Sequence, residues 1–174
     1  FSLRRLAPKS PSCTRLAANE SSLRGRLIRR AISAAPASDR AVATASQIIT
    51  AGGATQALDI LSRTLLAPGD AVLVDEPAWA VEYARLTRLG VRLLPVPRGA
   101  DGPDLDVMRT LIREHKPRMY VTVPVLHNPT GWTSTAANLH KVLLLAQQHG
   151  LLIAEDDVQG HFHPGHATRL ASLS

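Results

Sequence analysis

The sequence predicts an α/β fold, with a mostly parallel sheet and helices on both faces. From Gln47 onward, short apolar segments alternate with longer segments whose apolar residues recur at helical spacing. Glycine, proline and aspartate residues separate the two kinds of segment, as they do at turns. Strands that alternate with helices require crossover connections, which make the strands parallel and cover the sheet with helices.

The predicted strands are short apolar runs bounded by turn-forming or charged residues. They cover residues 47–50, 71–74, 91–96, 119–123 and 151–154. The predicted helices have apolar residues three or four positions apart. They cover residues 55–67, residues 79–89, a segment that Asp104 caps, and residues 135–149. Gly90 and Gly150 end two of these helices, and Asp101 with Gly102 forms a turn.

A basic segment, residues 1–46, precedes this regular pattern, and we predict that a separate domain begins at residue 47. Residues 1–40 contain nine Arg or Lys against two acidic residues. Residues 1–20 have no clear period and are predicted to be irregular, whereas residues 21–34 are predicted to form a helix. The charge is compatible with a solvated helix face, a nucleic-acid-binding arm or a transit-like segment.

The composition is that of a globular protein with one core. Cys13 is the only cysteine, so no intrachain disulfide forms and a reducing, cytoplasmic location is expected. No apolar run approaches the roughly 20 residues that span a bilayer, so no membrane segment is expected. The chain begins at Phe1 rather than at a methionine, and we expect it to be a truncated part of a longer protein.

A glycine turn, Gly52 and Gly53, lies between the first predicted strand and the first predicted helix. The free N–H groups at a helix N-terminus suit a phosphate, and the hydroxyl of Thr55 adds a donor. The segment has neither the Lys-Ser/Thr ending of a P-loop nor the spacing of a dinucleotide fingerprint. A phosphate site and a simple turn therefore both remain open at this point.

Acidic and aromatic side chains follow the second predicted strand. Asp75, Glu76 and Trp79 are compatible with a metal site or with an aromatic-ligand site in which the indole stacks on a planar ring. The local alternative is a solvated turn with Trp79 packed in the core. The pattern alone favours this alternative.

An amide and a group of carboxylates follow the last two predicted strands. Asn128 lies in the turn after one strand, and residues 155–157 are Glu-Asp-Asp at the end of the next. Ligands of open α/β sheets bind beyond the carboxyl ends of the strands, so these groups predict a site. At least one of the three acids is expected to be a solvated loop residue.

Other histidines and nucleophiles give weaker signals. His161, His163 and His166 suggest a metal site, but glycine and proline in the run favour a plain flexible loop. His127 is predicted to be structural. The chain has no Gly-x-Ser-x-Gly segment, so the sequence gives no support for a nucleophilic hydrolase.

Taken in order, these pieces resemble the large domain of the fold-type I, pyridoxal-phosphate-dependent aminotransferases of class I and II. The resemblance covers about residues 47–174, and its most specific element is the His-Asn-Pro-Thr-Gly segment that ends at Gly131. Within this family, the chain is most similar to the aminotransferase-like half of the MocR group of GntR regulators. The resemblance implies pyridoxal 5′-phosphate as the cofactor.

The resemblance also implies a role for each site residue. Gly53, Ala54 and Thr55 would bind the cofactor phosphate. Trp79 would stack on the pyridine ring, Asn128 would contact the 3′ oxygen of the ring, and Asp156 would pair with the pyridinium nitrogen. The tyrosine that the family has three residues beyond this aspartate is Gln159 here.

The resemblance leaves the catalytic position empty. The Schiff-base lysine of the family follows the aspartate, whereas the three lysines of this chain, Lys9, Lys116 and Lys141, all precede Asp156. We therefore expect this chain to form no Schiff base with the cofactor.

Three functions are compatible with the resemblance. The complete protein is expected to transfer an amino group between an amino acid and a 2-oxo acid, and to be a homodimer. One alternative is the sensor domain of a pyridoxal-phosphate-responsive MocR/GntR regulator, which would bind nucleic acid only through a domain that this chain does not contain. The other alternative is a non-catalytic remnant.

Overall fold

The computed structural model describes residues 2–4 and 50–173. The strands are β1 (Ser2–Arg4), β2 (Ala71–Glu76), β3 (Arg92–Gly99), β4 (Gly102–Pro103), β5 (Met119–Thr122) and β6 (Leu152–Glu155). The helices are α1 (Ala54–Leu65), α2 (Ala80–Arg88), α3 (Leu105–His115) and α4 (Ala136–His149). Two short 3₁₀ helices, Gly160–Phe162 and Leu170–Ser172, follow β6.

The strands form one six-stranded sheet in the order β1-β6-β5-β2-β3-β4. The four central strands are parallel to one another, while β1 and β4 are antiparallel additions at the two sides. The carboxyl ends of β2, β5 and β6 therefore meet at one edge of the sheet, where ligands bind in open α/β folds. The prediction of a mostly parallel α/β sheet is confirmed.

Helices cover both faces of the sheet because the side chains of each strand alternate between the faces. Leu73, Tyr120 and Ile153 pack on one face with residues of α3 and α4. Val72 and Val121 pack on the other face with residues of α1 and α2. Strands buried on both faces are expected to be continuously apolar, as β2 and β5 are over most of their length.

Capping residues explain where the helices begin and end. Asp104 caps α3, since its carboxylate accepts hydrogen bonds from the backbone N–H groups of Asp106 and Val107. Thr135 caps α4 by accepting from the N–H of Asn138. Gly150 ends α4 with a φ of 65°, a left-handed conformation that glycine adopts readily.

Two parts of the fold differ from the prediction. β1 lies within residues 1–20, which the sequence predicted to be irregular, because pairing with β6 imposes a strand that the local pattern does not show. The turn before α3 falls at residues 100–101, and Gly102 instead belongs to β4, which the sequence did not predict. The predicted helix at 21–34 and residues 47–49 of the first predicted strand lie outside the described residues, and Thr50 has no regular structure.

Two prolines lie on the side of β3 that faces away from β2. The N–H of Arg92 donates to the carbonyl of Asp70 at 2.8 Å, so the backbone groups of residues 92, 94 and 96 point toward β2. The backbone groups of residues 93, 95 and 97 consequently point away. Pro95 and Pro97 occupy two of these outward positions, and both are exposed.

Candidate functional site

A cleft of about 240 Å³ opens at the carboxyl ends of β2, β5 and β6. Its walls come from the start of α1, the segment after β2, α2, the loop after β5 and the segment after β6. Five of the six predicted site residues line it: Ala54, Thr55, Trp79, Asn128 and Asp156. The sixth, Gly53, is the N-cap residue of α1 and lies next to Ala54.

The start of α1 forms one end of the cleft. Gly53 has a φ of 129°, a conformation that residues with a side chain rarely adopt. No side chain caps this helix end, and its first turn contains no acidic residue. The N–H groups and the positive end of the helix dipole therefore remain available to an anion, with the Thr55 hydroxyl beside them.

Trp79 lies at the start of α2 and forms a side wall. Its side chain lines the cleft and is 42% exposed, so the alternative that Trp79 is packed in the core is wrong. An indole in this position offers a flat apolar face to a ligand in the cleft.

Asp75 is also not part of a solvated turn, since it is only 2% exposed. Its Oδ2 accepts hydrogen bonds from the Arg98 guanidinium at 3.0 Å and from the Thr122 hydroxyl at 2.8 Å. Its Oδ1 accepts from the Tyr120 hydroxyl, and burial raises the pKa of Tyr120, which keeps the phenol protonated. This buried cluster was not predicted from the sequence. One signal was available: Arg98 follows Leu94 and Val96 at the spacing of the core-facing positions of β3.

The three acids at the end of β6 have three different environments. Glu155 is buried, and its carboxylate accepts hydrogen bonds from the N–H groups of Leu170 and Ala171. Asp157 pairs with Arg169 at 2.7 Å. Asp156 lines the cleft. The expectation that one of the three is a solvated loop acid is wrong.

Asp156 is a desolvated carboxylate that faces the cleft. Its Oδ1 accepts one hydrogen bond, from the N–H of Val158 at 3.2 Å. Burial raises the pKa of Asp156 to about 6, and the nearby charge of Glu82, which also lines the cleft, contributes to the increase. A cation beside this carboxylate would favour its charged form and thereby offset the effect of burial.

The loop between β5 and α4, residues 123–135, carries His127 and Asn128 into the cleft wall. His127 is buried, and its Nδ1 lies 2.9 Å from the Thr130 hydroxyl. Burial, together with the nearby charge of Arg98, lowers the pKa of His127 to about 4, so the imidazole is neutral near pH 7. A neutral, buried histidine that contacts its own loop is consistent with the structural role predicted for it.

Several other sequence signals lie apart from the cleft. Among the described residues, no group of three or more His, Cys, Asp or Glu residues is arranged to hold a metal ion, and this includes His161, His163 and His166. Lys116 ends α3 and Lys141 lies on α4, and neither lines the cleft.

None of the described helices is both long enough and apolar enough to cross a membrane.

Comparison with known proteins gives a consistent family. Residues 25–173 match the family described as aminotransferase class I and II. The chain is 33% identical over 129 residues to a 2-aminoadipate transaminase of Thermus thermophilus, covering 73% of this chain and 32% of that protein. It is 28% identical over 136 residues to the uncharacterized HTH-type transcriptional regulator YjiR of Escherichia coli, covering 78% of this chain and 29% of the regulator.

A solved structure agrees with these relatives. An α-aminoadipate aminotransferase from Thermus thermophilus, complexed with N-(5′-phosphopyridoxyl)-L-leucine, superposes with a TM-score of 0.58 and 32% identity. The match covers 60% of this chain and 27% of that chain. The chain thus spans about a third of the length of the curated relatives that it matches. Since the family match covers the cleft and the strands that form it, the chain belongs to the class I and II aminotransferase family.

Proposed function

We propose that the chain is the pyridoxal-phosphate-binding large domain of an aminotransferase, which in the complete protein transfers an amino group between an amino acid and a 2-oxo acid. One observation carries the proposal: residues of five separate segments converge on one cleft with the chemistry that this cofactor needs. The cofactor-bound relative from Thermus thermophilus supports the same choice of ligand.

The residues of the cleft fit the parts of the cofactor. Gly53, Ala54 and Thr55 would hold the phosphate, because the uncapped start of α1 offers N–H donors and a positive dipole end. Trp79 would cover the pyridine ring with its exposed face, and Asn128 would donate to the 3′ oxygen from the loop after β5. Bound pyridoxal phosphate supplies an electron sink for amino-group chemistry.

Asp156 has the specific role of holding a proton on the ring nitrogen. A carboxylate that burial has deprived of water gains more from a cationic N–H partner than an exposed carboxylate does. The protonated nitrogen would supply that partner, and the carboxylate would in turn keep the proton in place. Residue 156 therefore needs a negative charge, and an asparagine, which has the same shape but no charge, should not support the same cofactor binding.

The first test compares Asp156→Asn with Asp157→Asn in a titration with pyridoxal phosphate at pH 8, which is above the pKa of about 6 of Asp156. A charge-assisted hydrogen bond is worth roughly 1.5–3 kcal/mol, so Asp156→Asn should weaken cofactor binding at least about tenfold. Asp157→Asn should change binding little, since residue 157 contacts Arg169 and does not line the cleft. Equal losses in the two variants would contradict the role of Asp156.

A second candidate function is the sensor half of a MocR/GntR-type transcription regulator. The similarity to the regulator YjiR over 78% of this chain favours it. Both functions use the same cofactor cleft, so cofactor binding does not separate them. The genomic sequence upstream of Phe1 would separate the two functions, because a winged-helix domain in the same reading frame would identify a regulator.

We also propose a cellular location, an oligomeric state and the individual roles of the cofactor-binding residues. A cytoplasmic location rests on the single cysteine of the sequence. A homodimer of the complete protein rests on the resemblance to the family, and so do the roles of the six cofactor-binding residues. Sedimentation of the complete protein with and without the cofactor tests the dimer directly.

A further inference from the structure

Arg98, near the end of β3, contacts both ends of the loop that carries Asn128, although Arg98 does not line the cleft. Its Nη1 donates to the carbonyl of Val123 at 3.0 Å, at the point where the loop begins. Its Nη2 donates to the hydroxyl of Ser134 at 2.8 Å, at the point where the loop ends. One buried guanidinium therefore joins the two ends of the loop.

The loop keeps its own shape through backbone hydrogen bonds. The N–H of Ser134 donates to the carbonyl of Pro124, and the N–H of His127 donates to the carbonyl of Trp132, both at 2.8 Å. These bonds fix the loop internally, but they do not fix its position relative to the sheet. The contacts with Arg98 link both ends of the loop to β3, in addition to the hydrogen bond that the N–H of Val123 donates to Oδ2 of Asp75 in β2.

Arg98 also contacts a second part of the cleft wall, at the end of β2. Its Nη1 donates to Oδ2 of Asp75, the buried carboxylate that begins the segment leading to Trp79. This pair is shielded from water, so removing the charge of Arg98 would leave the Asp75 carboxylate buried without its cationic partner. The same guanidinium is thus tied to the walls that carry Trp79 and Asn128.

We propose that Arg98 is a positioning residue that sets the distance between Asn128 and Trp79 across the cofactor cleft. This inference rests on the proposed function of the cleft. The planar guanidinium can donate in several fixed directions at once, which an ammonium group cannot reproduce. A lysine at position 98 would keep the charge beside Asp75 but would not bridge both ends of the loop.

The test compares Ser134→Ala with the matched control Ser62→Ala. Each serine is buried and accepts a hydrogen bond from an arginine, Arg98 and Arg85 respectively, but Ser62 lies on α1 and does not line the cleft. Both variants lose one hydrogen bond and should lose similar thermal stability. Only Ser134→Ala should weaken binding of pyridoxal phosphate, by about three- to tenfold.

Arg98→Lys should weaken binding at least as much as Ser134→Ala while the protein remains folded, since the charge beside Asp75 is kept. Amide hydrogen exchange of the chain without cofactor gives an independent readout. In Ser134→Ala and Arg98→Lys, the N–H groups of residues 126–134 should exchange faster, whereas those of β2 should be unchanged.

The possible failures are distinguishable. If the unsubstituted chain does not bind pyridoxal phosphate, the proposed function fails, and hydrogen exchange still tests whether Arg98 positions the loop. Equal losses of cofactor affinity in Ser134→Ala and Ser62→Ala would overturn the positioning role. Unchanged exchange of residues 126–134 in Arg98→Lys would overturn it as well.

Discussion

Gln159 occupies the position at which the resemblance to the family implies a tyrosine. It lines the cleft close to Asp156, and its Oε1 is buried without a hydrogen-bond partner among the described residues. An unpartnered buried acceptor is unfavourable by about 1–3 kcal/mol, so residue 159 is suited to gain a contact when a ligand enters.

Replacing Gln159 by Tyr should therefore change the bound cofactor. A phenol at this position would offer a hydroxyl donor to the 3′ oxygen of the ring, which should shift the absorption of bound pyridoxal phosphate or its pH dependence. Gln159→Phe is the matched control, because it adds the same ring without the hydroxyl. If the Tyr and Phe variants have the same spectra, the hydroxyl does not reach the cofactor.

The cleft residues were predictable to different degrees. Asn128 and Asp156 lie in short characteristic segments, so a resemblance in sequence is enough to locate them. Asp75 and Arg98 are 23 residues apart on two strands, and nothing local shows that they form a pair. A charged residue at a core-facing position signals that a partner exists, but only the strand order identifies the partner.

At the scale of elements, Glu155 couples the end of β6 to the last 3₁₀ helix through its two backbone hydrogen bonds. Burial raises the pKa of Glu155 from its ordinary value of 4.5 to about 7. Between these two values the folded chain holds a proton that the unfolded chain has lost. The contribution of Glu155 to stability is therefore present below about pH 4.5 and is lost as the pH rises through about 7.

Glu155→Gln should remove this pH dependence. Near pH 6, the free energy of unfolding should fall less steeply with pH in the variant than in the unsubstituted chain. The two slopes should differ by up to about 1.4 kcal/mol per pH unit, which corresponds to one proton. Urea unfolding at a series of pH values measures this slope. Glu114→Gln is the control, since the side chain of Glu114 is 59% exposed and its removal should leave the slope unchanged.

The elements that could be predicted are those whose ends are marked in the sequence. Asp104 and Gly150 bound α3 and α4 as expected, because caps and glycines act locally. β4 escaped prediction because it is two residues long and consists of Gly102 and Pro103, which have low strand propensity. β1 depends on pairing with β6, a distant contact that no local pattern encodes.

For the whole molecule, the alternation of strands and helices was sufficient to predict the architecture and the edge where the site lies. Parallel connections bring the ends of β2, β5 and β6 together, and the cleft forms there. The cleft volume and its buried charges were not predictable, since they depend on how the helices and loops pack against that edge.

Pro95 and Pro97 determine how the outer side of β3 behaves toward other polypeptides. Their missing N–H groups leave Leu93 as the one outward backbone donor along residues 92–97. A strand edge with a single donor cannot form a continuous ladder with an incoming strand, and proline at sheet edges has this protective effect in natural proteins. The two prolines should therefore make this side of the sheet resistant to strand addition and aggregation.

Replacing both prolines by Thr should remove that resistance. Both side chains are exposed, so the substitution changes little packing, and it places a strand-forming residue at each position. It restores an outward N–H group at residue 95 and another at residue 97, where the carbonyl already accepts from the N–H of Asp104. Sedimentation should show concentration-dependent association of the variant Pro95→Thr/Pro97→Thr. The control Pro164→Thr, a substitution in an exposed loop, should associate no more than the unsubstituted chain. An unchanged monomer–oligomer balance in the double variant would mean that something other than the missing donors protects this edge. If association does appear, the outer edge of β3 is a place where backbone chemistry, rather than surface charge, keeps neighbouring chains apart.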